Sequence, residues 1–145
     1  MSATSPRSGG CLCGAVRFTA TPATLDIDAC HCSRCRKWSG GVYMAAPCSA
    51  ISVEDESALG LFQSSDYGER GFCKTCGSSL FWRMQDRSVT VVSLQAFDDQ
   101  SGFVFAEEIF VDDKPATYAF ANETRKLTGE EFFARAMASQ ESSGG

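Results

Sequence analysis

The sequence predicts a mainly antiparallel β domain with cysteine clusters on its loops and one short helix near the C-terminal end. Three observations predict it. Short segments that alternate apolar and polar residues recur through the middle of the chain. Seven of the eight cysteines fall into three tight clusters beside such segments. One late stretch, after Thr128, repeats its apolar residues at helical spacing.

In chain order, residues 1–9 are rich in Ser, Gly and Pro and are expected to be a disordered lead-in. Ala15–Thr19 and Leu25–Ala29 alternate as half-buried strands do, and the second delivers the chain into Cys30. A short helical turn is expected around Cys35 to Trp38, stopped by Gly40-Gly41. Val42–Ala46 is an apolar strand expected to end at Pro47, with weaker strands at Ile51–Val53 and Leu59–Gln63. Gly71-Phe72 leads into the third cysteine cluster and Ser79–Arg83 leaves it. Ser88–Leu94 has the strongest β-branched content. Glu108–Val111 is a further strand, ended by the turn-prone Asp112-Asp113-Lys114-Pro115. Thr128 and Glu131 fit a capping box, and Phe132, Phe133, Ala136 and Met137 form the apolar stripe of the helix that follows. No linker divides residues 10–138, which are expected to form a single domain, and residues 139–145 read as a disordered tail.

Bulk properties exclude some functions. The chain has 145 residues, 43% hydrophobic and 21% charged, ordinary values for one globular domain. No apolar run approaches the roughly 18–20 residues needed to cross a bilayer, so no membrane partner is expected. A net charge of −5 leaves little surplus for a basic face, so no nucleic-acid partner is expected. Arg34, Arg36 and Lys37 form a local basic run, too short for a duplex but suited to a small anionic ligand.

The cysteine clusters are Cys11/Cys13, Cys30/Cys32/Cys35 and Cys73/Cys76. Their spacing reads as metal ligation, because a tight turn aims two nearby sulfurs at one cation. Disulfides are the rival reading. The first ten residues contain no apolar signal segment, so a cytoplasmic, reducing location is expected, which disfavours disulfides. Cys48 has no cysteine within ten residues and reads as a small buried hydrophobe. Spacing permits two pairings. Either Cys32/Cys35 joins Cys73/Cys76, or Cys11/Cys13 joins Cys73/Cys76 and leaves Cys30, Cys32 and Cys35 as a local triad. The second is chemically more economical, and Gly14 and Gly77, each directly after a pair, add a symmetry in its favour.

Gly10–Phe18 resembles the opening motif of the glutathione-dependent formaldehyde-activating enzyme family, which also includes centromere protein V. Cys30–Lys37 resembles its second motif, and Arg70–Ser78 with Leu80-Phe81-Trp82 its third. The resemblance runs from about Gly10 to Tyr118 and implies a β-tent fold with two Zn²⁺ sites. It implies a structural zinc on Cys11, Cys13, Cys73 and Cys76, and a second, labile catalytic zinc on Cys30, Cys32 and Cys35. The implied activity is that of a carbon–sulfur lyase, forming or cleaving a bond in a small-molecule, glutathione-like thiol adduct such as S-hydroxymethylglutathione. Arg34, Arg36, Lys37 and Arg70 are candidate contacts for the carboxylates of such a substrate. His31 is open to the roles of proton shuttle, alternate ligand or hydrogen-bond donor to the ligands. Trp38, Tyr43 and Trp82 read as core aromatics. Two positions depart from the family pattern: Glu108 stands where a His is frequent, and Tyr118 where a late Trp is frequent. The alternative to an enzyme is a non-catalytic zinc module with a structural or interaction role.

Overall fold

The computed structural model describes residues 4–144, with side chains described as far as residue 138. It is mainly β, with ten strands and a C-terminal helix, as the sequence predicts. By internal contacts the chain forms two compact units, Met1–Ile27 with Met44–Val104 and Asp28–Tyr43 with Phe105–Gly145.

The first unit is built from antiparallel pairs. Strand β1 (Arg7–Gly10) pairs with β2 (Arg17–Pro22), and β2 pairs with β4 (Tyr43–Val53). Then follow β8 (Thr90–Ser93), β7 (Ser79–Met84), β6 (Gly68–Cys73) and β5 (Leu59–Gln63). Alternation buries Phe18 and Ala20 on one side of β2, with Val16 just before it also buried, and Phe18 meets Phe97 edge-on at 5.7 Å. Leu80, Phe81 and Val92 are buried on β7 and β8.

Two expectations are corrected here. The lead-in is not unstructured up to residue 9, because pairing begins at Arg7. Small residues permit it: a Cβ on Gly9 would lie 2.5 Å from the carbonyl oxygen of Ala96 and from the Phe18 ring. Residues 1–3 lie outside the described residues. Pro47 also fails to end its strand, and the two short strands expected on either side of it are one eleven-residue strand. Proline brings no N–H, but Pro47 lies beyond the last β2 partner, Pro22 opposite Cys48, and its carbonyl still accepts from Ala23 N at 2.8 Å. Proline is tolerated in a sheet where its nitrogen faces no ladder partner.

The second unit takes β3 (Asp26–Cys30) from Asp28 onward, helix α1 (Ser33–Ser39), β9 (Val104–Ile109), β10 (Arg125–Leu127) and helix α2 (Gly129–Gly144). β3 neighbours β9, and His31 N donates to the Ile109 carbonyl at 3.1 Å. β9 ends earlier than the expected Val111, since Phe110 takes a left-handed turn (φ 59°). β10 pairs parallel to β9, an exception to the expected antiparallel order. Gly40 caps α1 at φ 84°, its N–H returning to the Arg36 carbonyl. The capping box of α2 forms as expected: Thr128 N donates to Glu131 Oε1 at 2.8 Å and Glu131 N to Thr128 Oγ1 at 3.1 Å. Helical backbone continues past residue 138 to Gly144, so the segment expected to be a disordered tail continues α2; Gly145 lies outside the described residues.

Candidate metal centres

In the first unit, the loop after β1 and the end of β6 bring the sulfurs of Cys11, Cys13, Cys73 and Cys76 together, all within 4.8 Å of one another. Cys11 and Cys13 sulfurs are 3.7 Å apart, and those of Cys13 and Cys73 3.8 Å. Zn–S bonds of about 2.3 Å in a tetrahedron place sulfurs about 3.8 Å apart, so this donor set fits Zn²⁺. Gly14 (φ 85°) and Gly77 (φ 80°) adopt the left-handed turns expected of them. Backbone N–H groups point at the sulfurs: Val16 at Cys11 (3.2 Å), and Thr75 and Cys76 at Cys73 (3.3 and 3.4 Å). Such donors stabilise thiolate over thiol. The Ser78 hydroxyl and amide together hold the Cys76 thiol down to about 5. Ser78 Oγ also accepts from Leu12 N at 3.0 Å, which ties the two cysteine turns together.

The second unit holds the other cluster. Cys30 ends β3, Cys32 caps α1 and Cys35 lies on its first turn, so three sulfurs meet within 4.8 Å. The cap is itself sulfur-based, Cys35 N donating to Cys32 Sγ at 3.4 Å. Hydrogen bonds from the Cys30 and Cys35 thiols push Cys32 down to about 2, while the same contacts and burial push Cys30 up. The thiols thus compete for negative charge that a dication would neutralise. Three thiolates, one short of a tetrahedral shell, is the ligand count of a working zinc site.

His31, between two of these cysteines, is fully buried. Its Nε2 lies 2.8 Å from Glu108 Oε1 and its Nδ1 2.7 Å from the Tyr118 hydroxyl. Glu108 and Tyr118 therefore flank one imidazole. Thr124 donates to Glu108 Oε2 at 2.6 Å, and Lys126 Nζ stands 3.7 Å from the same oxygen. Burial would raise the Glu108 carboxyl, but bonds from Thr124 and His31 and the Lys126 charge outweigh it and hold it below the usual range.

A pocket of about 580 Å³ opens in the same unit, lined by Arg36, Val42, Pro115, Tyr118 and Phe120 among others. Of the four cations singled out in the sequence, Arg36 reaches this pocket. Its Nε donates to the His31 carbonyl at 2.8 Å and one Nη to the Asp113 carbonyl at 3.2 Å. Arg34 and Lys37 are exposed on α1. Arg70 belongs to the first unit, only 6% exposed on β6, which leaves its guanidinium little surface to offer a ligand. Sequence reasoning missed the pocket wall at 115–120 and the Thr124 contact, for which no local spacing gives a signal.

The sequence matches the family model described as glutathione-dependent formaldehyde-activating enzyme over residues 6–113. The chain belongs to that family. It is 33% identical over 125 residues to an uncharacterized lyase of Schizosaccharomyces pombe, a match covering 85% of this chain and 91% of that protein. A putative glutathione-dependent formaldehyde-activating enzyme of Halomonas elongata is 32% identical over 50% of this chain and 53% of its own length. A crystal structure of a Rhodobacter sphaeroides protein superposes with TM-score 0.55 at 26% identity, over 63% of this chain and 87% of that one. Among the described residues, no helix of this family member is long and apolar enough to cross a membrane.

Proposed function

We propose that the chain is a zinc-dependent carbon–sulfur lyase acting on a glutathione-type thiol adduct, S-hydroxymethylglutathione being the adduct to which the family description points. The observation that carries this reading is the convergence of Cys30, Cys32 and Cys35 in the unit that also holds the pocket. Cys11, Cys13, Cys73 and Cys76 would hold a structural zinc. A zinc ion on the triad would supply an electrophilic position that binds an incoming thiol and lowers its pKa.

The chain's own residues do the rest. Three thiolates and one dication sum to a charge of about −1, so Arg34, Arg36 and Lys37 on and beside α1 offset that charge and attract an anionic peptide. Val42, Pro115, Ala119 and Phe120 give part of the pocket an apolar lining beside the cationic Arg36, a mixed surface suited to a small anionic thiol adduct. In the cleavage direction the C–S bond breaks, its electron pair leaves with sulfur, and the hydroxyl proton is given up as the aldehyde carbonyl forms. Addition is the reverse.

The test pairs metal analysis with exchange kinetics on reduced, zinc-replete protein. Two zinc ions per chain are expected, one readily chelated, together with faster interconversion of glutathione, formaldehyde and their adduct seen by NMR. A single tightly held zinc and no acceleration would overturn the enzyme reading and leave a structural zinc module.

A further inference from the structure

Strand β5 ends the strand order, paired with β6 on one side only. Lys74 N donates to the Ala58 carbonyl and Ser64 N to the Gly68 carbonyl, so the even-numbered residues of this stretch bond to β6. Antiparallel ladders alternate, which turns the N–H and C=O groups of the odd-numbered residues outward. Glu56 takes the Leu59 N–H, and Leu61 and Gln63 carry the outward groups that remain. An edge of this kind is a template for another strand unless charge, proline or a bulge guards it. β10, also paired on one side, is three residues long and carries Arg125 and Lys126. β5 is Leu-Gly-Leu-Phe-Gln, with no charge, no proline and an unbroken register against β6. Its side chains are apolar and exposed where the edge is open, Leu61 at 47% and Phe62 at 59%.

The strand and its flanking charges fit a second copy of itself. With two β5 strands antiparallel and Phe62 opposite Phe62, Leu61 of each chain exchanges both hydrogen bonds with Gln63 of the other. The two Phe62 rings then meet as a non-hydrogen-bonded pair, the closer of the two cross-strand arrangements. Towards the strand ends, Asp66 of one copy falls opposite Ala58 of the other, and the Lys74 amide is bonded to that Ala58. Asp66 and Lys74 are exposed, opposite in charge and on the Phe62 face by parity. Two strand spacings, roughly 10 Å of backbone separation, lie within reach of their extended side chains. The two-fold axis makes each such contact twice.

We propose that β5 is a self-association edge, through which two copies of this chain pair antiparallel with Phe62 against Phe62. The paired segment is short, so the dimer is weak, with a Kd of about 10 µM to 1 mM. The proposal is independent of the thiol-adduct reading.

The experiment is sedimentation velocity on the reduced, zinc-replete full chain from about 1 µM to 1 mM, with hydrogen exchange followed over the same range. The mass is expected to rise towards that of a dimer, and exchange at the Leu61 and Gln63 amides to slow with concentration. Phe62→Glu and Phe62→Lys each set like charges opposite one another and are expected to weaken the dimer about tenfold or more. An equimolar mixture of the two variants is expected to recover association. A wild type that stays monomeric throughout overturns the proposal. So does a dimer in which the Leu61 and Gln63 amides exchange as in the monomer, or one that both variants leave unchanged. A mixture that associates no better than either variant alone overturns the pairing of Phe62 with Phe62. Hydrogen exchange on the wild type decides the matter even where a variant folds poorly.

Discussion

Arg135 on α2 closes both ends of its guanidinium fork on Glu107 of β9, Nη1 on Oε1 and Nη2 on Oε2, each at 2.8 Å. Arg125 of β10 adds a third bond to Oε1 at 2.8 Å. The Glu107 side chain is 8% exposed, so this carboxylate has exchanged water for two guanidinium groups. It is the polar anchor of the C-terminal helix, alongside the apolar packing of Phe132 and Phe133 on Phe110 at 5.6 Å. Arg135→Met keeps an apolar stem of similar bulk to the arginine's methylenes and removes the fork. It is expected to cost roughly 1.5–3 kcal/mol, the range for charge-assisted hydrogen bonds. Chemical denaturation of both proteins measures it, and equal midpoints would show that the packing alone holds the helix.

The same carboxylate sets a pH dependence. The Arg135 fork, working against burial and helped by Arg125, holds the Glu107 carboxyl below its ordinary 4.5. A depressed folded-state pKa contributes stability that is fully present above the unfolded value and is lost as pH falls through the folded one. Asp28, pushed up to about 7 by burial and by the Glu107 charge, titrates above this range, so the stability difference between wild type and Glu107→Gln is read from about pH 5 downward. It should shrink below about 4.5, where the unfolded chain takes up the proton first. A difference that instead grew on acidification would reverse the sign and exclude this linkage.

The two cysteine groups should fail differently. Cys76 is one of four sulfurs joining turns that are 60 residues apart in sequence between Cys13 and Cys73. Structural zinc sites contribute on the order of 10 kcal/mol in small domains, so Cys76→Ser is expected to unfold or aggregate the protein. Cys30, Cys32 and Cys35 span six residues already ordered by a helix cap, so Cys32→Ser should leave a folded chain that lacks activity. Circular dichroism with zinc analysis separates the outcomes. Comparable loss of secondary structure in both variants would end the division into structural and working sites.

How much of this was legible in the sequence follows from range. Local patterns survived: the alternation of β2 and β3, the Thr128–Glu131 box, and the glycines after Cys13 and Cys76 each concern residues a few positions apart. The cysteine groups were legible over long range only because thiolate is so rare a neighbour for thiolate without a metal. The His31 network was not legible, since Tyr118 and Glu108 lie 87 and 77 positions away and neither carries a spacing signature. Both residues had been visible as departures from a pattern, but only the fold shows that they meet at one ring. The strand through Pro47 was missed for a different reason. Proline ends strands that need its N–H, and Pro47 sits just past the last pairing of β2 with β4, where that need disappears.

Two glycines in the first unit separate backbone strain from crowding. Gly77 sits at φ 80° with nothing within 4 Å of the place a Cβ would take. Gly77→Ala therefore meets only the left-handed penalty, about 1–2 kcal/mol. Gly71 on β6 is the opposite case: a Cβ there would lie 2.3 Å from the Phe81 ring, itself fully buried. Gly71→Ala forces that ring or its strand to move, and overpacking of this kind costs about 1–3 kcal/mol or more. Thermal unfolding at a scale of about 2–4 °C per kcal/mol should rank Gly71→Ala below Gly77→Ala. Zinc retention gives a second axis, because Gly77 shapes the turn that presents Cys73 and Cys76. Gly77→Ala is expected to speed zinc loss to a chelator from the four-sulfur group, and Gly71→Ala to leave that rate near wild type in the folded fraction. Equal chelation rates in the two variants would mean that the turn after Cys76 does not govern the site.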